Sequence, residues 1–108
     1  EVSYYTSGQQ EYSAKYLNGK LDGMSRHWSE DGYLISESEY SHGKLHGNWK
    51  KYYANQKIMY KAHYFHGQKH GEEIWYYENG HVKSEQSFHY GVSAGTIMRW
   101  HPDGSIIY

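Results

Sequence analysis

The side chains best suited to chemistry in this chain are its nine histidines, its four tryptophans and a run of lysines at its centre. Imidazole can bind a metal, relay a proton or change charge near neutral pH. His42 and His66 recur at one position of a repeat, and His46 and His70 at another. Equivalent positions in successive units lie two strands apart, about 9–10 Å between backbones, which is a poor span for one ion. Zinc wants three or four ligands, and no carboxylate stands within the turns that hold His42 with His46 or His66 with His70. No metal ligand is assigned, and these histidines read as turn residues that are partly protonated below about pH 6.5. The absence of cysteine removes disulfides and Cys-ligated zinc or iron–sulfur sites. No glycine-rich phosphate loop opens a helix, and no Ser or Glu stands beside a His at a motif spacing. The reading is non-enzymatic, with no catalytic residue and no cofactor.

What positions these side chains is a repeat. All twelve glycines fall in three columns of a 24-residue period: Gly8, Gly32, Gly80 and Gly104; Gly19, Gly43, Gly67 and Gly91; Gly23, Gly47, Gly71 and Gly95. Gln56 stands where the first column wants its missing glycine, so it is expected at positive φ, and Gln56→Gly is expected to stabilise. Aromatic residues keep the same period, as Trp28, Tyr52, Tyr76 and Trp100 in one column and Tyr16, Tyr40, Tyr64 and Phe88 in another. Asp-Gly or Asn-Gly closes a first turn, and Pro102 suits the first central position of a type I turn. A second turn spans 18–23, 42–47 and 66–71. Between turns the pattern alternates with period two, as in Ile58, Tyr60, Ala62 and Tyr64 against Met59, Lys61 and His63.

The predicted fold is all-β: an elongated open antiparallel meander of repeated hairpins, about four and a half units in a single domain over 1–108. Its extent along the stack is roughly 40 Å. Leu, Ile, Val and Phe make up 15 of 108 residues, whereas Tyr and Trp contribute 14 and 4, so apolar mass comes from rings and a thin sheet is expected. The chain begins with Glu1 and ends part-way through a unit, as if cut from a longer array. No compartment is assigned, and no apolar run reaches the roughly 18 residues of a membrane span.

A residue type that recurs in every unit belongs to the fold. By this test Trp28, Tyr52, Tyr76 and Trp100, with Tyr40, Tyr64 and Phe88, form a structural aromatic ladder. Residues that break the pattern mark attachment. Trp49 stands where other units have Glu1, Ser25, Glu73 and Ile97, and Trp75 where they have Ser3, His27, Lys51 and Arg99. Trp49, Lys51, Tyr53, Trp75 and Tyr77 are expected together on the face opposite the ladder, joined by Lys50 and Lys61 in a partner-binding patch. No acidic residue lies between Tyr40 and Gly71, so Lys44, Lys50, Lys51, Lys57, Lys61 and Lys69 give the centre a local positive charge inside a net charge of −1.

The stretch WYYENGHVKSEQSFHYG at 75–91, with its aromatic opening, Asn-Gly turn, Lys-Ser-Glu and closing glycine, resembles the bacterial variant of the MORN repeat. The resemblance covers the whole chain; Gln56 and Val92-Ser93-Ala94 depart from the pattern. It implies a non-catalytic protein-binding module, and because similar proteins include a group named as antitoxins, a toxin is one partner it suggests. The alternative reading is a membrane-surface or cell-envelope scaffold that meets anionic head groups through the central lysines. Open sheet edges allow homo-oligomers. Nucleic acid is disfavoured, because the balanced total charge gives no broad electrostatic footprint.

Overall fold

In the computed structural model, which describes residues 1–108, the chain forms one sheet of ten antiparallel strands in sequence order. They are β1 (Val2–Tyr4), β2 (Gln10–Leu17), β3 (Lys20–Trp28), β4 (Leu34–Ser41), β5 (Lys44–Tyr52), β6 (Ile58–Phe65), β7 (Gln68–Tyr76), β8 (Val82–His89), β9 (Val92–Trp100) and β10 (Ile106–Ile107). There is no helix, and each period supplies two strands. The predicted open meander is the observed fold. Its Cα extents of 46 × 32 × 12 Å describe one layer, elongated along the stacking direction.

Two kinds of turn alternate, one on each long edge. At the first edge, Gly32 N–H donates to Ser29 C=O while Ser29 N–H donates to Tyr33 C=O, and the same pair of bonds recurs in the other units. This is a type I turn completed by a residue in the left-handed region. Pro102 takes the expected first central position, since Gly104 N–H donates to His101 C=O. Gln56 adopts the expected positive φ, 67°. At the second edge the loop has only two residues. Ser41 pairs with Lys44 around His42-Gly43, and Phe65 pairs with Gln68 around His66-Gly67. Both loop residues are left-handed, with φ of 51° and 84° in the first case, as a type I′ turn requires.

The expected second turn over 18–23 is therefore shorter than the glycine spacing suggests. Gly23, Gly47 and Gly71 lie inside β3, β5 and β7 with φ of 107°, 114° and 107°, each beside a register shift. They are bulge glycines. A Cβ on Gly47 would approach Glu39 Oε2 to 2.5 Å.

Directly paired residues share a face, so the register defines two faces. One row runs Ala14, Ser25, Ser38, Trp49, Ala62, Glu73 and Gln86 across β2 to β8. We call this the Tyr60 face. The row beside it on the other face runs Arg26, Glu37, Lys50, Lys61, Ile74, Glu85 and Met98, and we call that the Lys61 face. Only five residues are buried: Ala14, Ser25, Tyr60, Ala62 and Tyr64. A single sheet has no second layer to cover its side chains. Burial arises where long side chains lean over a row of short ones, as at β5 and β6 on the Tyr60 face and, in the same row, at Ala14 and Ser25.

Candidate functional site

The centre of the Tyr60 face is an aromatic cluster. Tyr60, Ala62 and Tyr64 of β6 are its buried members, with Leu45 and Trp49 of β5 and Met59 packed around them. Trp49 sits in the small-residue row, its ring 5.9 Å from that of Tyr60 and 6.0 Å from that of Tyr64. Trp75 of β7 lies 4.4 Å from Tyr60 on the other side. Lys51 Nζ stands 5.0 Å from the Trp49 ring and 5.6 Å from the Tyr60 ring, a cation over aromatic faces.

Polar groups fix the cluster from beneath. The Tyr60 hydroxyl donates to Glu73 Oε2 at 2.6 Å, and Lys69 pairs with the same carboxylate. Burial, followed by the neighbouring carboxylate, pushes the Tyr60 pKa well above the usual phenol range. Burial alone would raise the Glu73 pKa, but the bonds from Lys69 and Tyr60 outweigh it and hold the carboxyl below its ordinary value. A protonated phenol and an ionised carboxylate are thus the resting forms at neutral pH.

Charge separates by face. From β4 to β9 the Tyr60 face carries Lys51, Lys69 and Arg99 but one carboxylate, Glu73, which Lys69 neutralises. Lys51 and Arg99 have no acidic partner. The Lys61 face mixes Lys50, Lys61 and Lys83 with Glu37, Glu39, Glu72 and Glu85. There Glu37 accepts from Arg26 at 3.2 Å and from the Tyr52 hydroxyl at 2.7 Å. Burial and that bond push Tyr52 up to about 12.

Several sequence expectations change in this light. The two ladder columns do not share a face: Tyr64 lies on the Tyr60 face, whereas Tyr52 reaches Glu37 on the other. No ring contact links members of either column, because they stand two strands apart; the rings that touch are diagonal or directly paired neighbours such as Trp49, Tyr60 and Trp75. Tyr40 and Phe88 follow the Tyr64 register, and Lys69 Nζ lies 4.9 Å from the Phe88 ring. Trp28, Tyr76 and Trp100 instead offer their carbonyls to tyrosines of the preceding unit.

The expected patch is divided as well. Trp49, Lys51 and Trp75 do come together, but beside Tyr64 and not opposite it. Lys50 and Lys61 face each other across β5 and β6 on the opposite side of the sheet. Tyr53 and Tyr77 leave the patch, since their hydroxyls donate to Tyr76 C=O at 2.6 Å and Trp100 C=O at 2.7 Å. Tyr5 makes the equivalent bond to Trp28 C=O. Tyr5, Tyr53 and Tyr77 occupy one repeat column that Ser29 and His101 interrupt, so recurrence alone is only a partial signal for this scaffold role. Lys44 and Lys57 lie at the two turn edges, so the six central lysines do not form one plane.

A one-layer sheet of stacked hairpins with side-chain bonds from unit to unit defines a β-repeat protein. Residues 45–66 and 69–90 each match the MORN repeat variant. These two segments are β5 with β6 and β7 with β8, and they hold the aromatic cluster. Repeats of this type generally form non-enzymatic modules. No curated protein of similar sequence is found.

Proposed function

We propose that the Tyr60 face docks a protein segment that presents carboxylates beside apolar side chains. The observation that carries this reading is Trp75, 37% exposed, against Tyr60 on one side while the unpaired Lys51 lies at Tyr60 on the other, on a face whose one central carboxylate is already neutralised. A large exposed ring with adjoining cations, resting on buried Tyr60, has the make-up of an interface anchor. Trp49 supports it from within the cluster and is not the anchor. The finer form of the reading, an antitoxin that covers a toxin's active surface, draws on the family resemblance described above. Anionic lipid is the competing occupant.

The test uses three chains, the natural one, Trp75→Ala with Lys51→Ala, and Lys50→Ala with Lys61→Ala as a control on the opposite face. Each is measured against a peptide array of acidic-aromatic segments and against phosphatidylserine vesicles. Peptide binding that falls at least tenfold in the first variant and is unchanged in the second is the expected result. Vesicle binding that fades between about 0.05 and 0.5 M salt, with no peptide bound, would replace this reading with the lipid one.

A further inference from the structure

The second-turn edge carries a feature that the docking face does not use. Three of the four turns there, at His42-Gly43, His66-Gly67 and Tyr90-Gly91, are held by the preceding unit through two bonds. One is between backbones: Gly43 N–H donates to Leu21 C=O, Gly67 N–H to Leu45 C=O, and Gly91 N–H to Lys69 C=O. The other joins the preceding amide to a side chain. His42 N–H donates to Asp22 Oδ1 at 3.3 Å, His66 N–H to His46 Nδ1 at 3.2 Å, and Tyr90 N–H to His70 Nδ1 at 3.2 Å. Asp22, His46 and His70 are one repeat column, so the same role is filled by a carboxylate once and by an imidazole twice.

Imidazole can accept through Nδ1 only while that nitrogen bears no proton. We propose that His46 and His70 are proton-controlled clamps, closed when neutral and opened by protonation. Protonation replaces the acceptor with an N–H that points at another N–H, so the side-chain bond is lost and the backbone bond alone holds the turn. The turns these clamps hold are also strained. His66 and Tyr90 take φ of 48° and 46°, which L side chains adopt at a cost, so their loops rely on what fixes them from outside.

Neither imidazole has a bonded anion among its neighbours. Around His46 lie the rings of His66 at 4.7 Å and Phe65 at 5.1 Å, while Glu39 lies against Gly47 and Lys44 against the Gly67 position. Around His70 lie Tyr90 at 4.4 Å, His89 at 5.0 Å and Phe65 at 6.1 Å. His63 Nδ1 is 3.1 Å from His70 C=O, and Glu72 lies two residues further along β7. No carboxylate bonds to either imidazole, so nothing in the hydrogen-bond network holds a charged His46 or His70 in place.

The third clamp supplies the internal control, because Asp22 accepts through a carboxylate oxygen and not through a ring nitrogen. Amide hydrogen exchange of the natural chain, corrected for intrinsic rates, is followed at pH 7.5 and 5.5. Protection of the His66 and Tyr90 amides is expected to drop about five- to tenfold while that of the His42 amide holds. In a His46→Asn, His70→Asn chain, whose side-chain oxygens accept without titrating, the drop at His66 and Tyr90 should vanish. Equal behaviour of all three amides in the natural chain would overturn the proposal. So would an undiminished drop in the Asn chain. If the Asn chain does not fold, the comparison of His42 with His66 and Tyr90 in the natural chain decides alone.

Discussion

Gln56 shows how one side chain can reverse an expectation drawn from its backbone. Its positive φ costs on the order of 1 kcal/mol relative to glycine. That cost is offset because the Gln56 amide clasps the neighbouring unit, accepting from Leu34 N–H at 3.1 Å and donating to Leu34 C=O at 3.2 Å. Two such bonds are worth about 0.5–1.5 kcal/mol each. Gln56→Gly is therefore expected to be no more stable than the natural chain, and Gln56→Ala to be less stable than either by about 1 kcal/mol. Urea denaturation measures all three. A Gly variant that outlasts the natural chain would show that the clasp contributes nothing. Trp49 and Trp75 make a similar contrast: both break the repeat, but Trp49 packs against buried Tyr60 and Tyr64 whereas Trp75 is open to solvent. Replacing both together would confuse unfolding with lost binding.

At the level of the hairpin, stability comes from bonds that tie a unit to the next as much as from the ladder within it. The Tyr53 and Tyr77 hydroxyls cross to the following unit, and Asn55 and Asn79 do the same by donating from Nδ2 to Glu78 C=O at 3.1 Å and Pro102 C=O at 2.8 Å. Asn55 and Asn79 Oδ1 at the same time accept the Lys57 and His81 amides inside their own turns. One residue thus shapes its turn and staples it to a neighbour. Tyr77→Phe keeps the ring and removes one hydroxyl, so a loss of about 0.5–1.5 kcal/mol is expected in thermal or urea unfolding. The Tyr60 face should keep its peptide affinity in this variant, because Tyr77 is not part of the cluster. A change in affinity without a change in stability would return Tyr77 to the docking surface.

For the molecule as a whole, the sheet is a one-dimensional stack in which each strand is hydrogen-bonded to its sequence neighbours. Removal of one full period, residues 70–93, rejoins equivalent columns and is expected to leave a folded sheet about 10 Å shorter, as seen by small-angle scattering with circular dichroism. Loss of sheet signal would mean that distant units depend on each other. The amino-acid order alone determined the period, the first set of turns, the open meander and the positive φ at Gln56, because glycine, Asn-Gly and alternation act within a few residues of themselves. It also named Trp49, Lys51 and Trp75 as exceptions. What it could not settle was which residues share a side. The register shift between Lys51 and Tyr52, beside the first-edge turn, pairs an odd-numbered residue of β5 with an even-numbered one of β6, so Trp49 lies beside Ala62, and the bulges at Gly47 and Gly71 shift the register again. Those offsets become fixed only when strands pair. Tertiary structure therefore decided that the lysines part between two faces, that Trp49 is packed while Trp75 is free, and that two histidines became acceptors for their neighbours' amides.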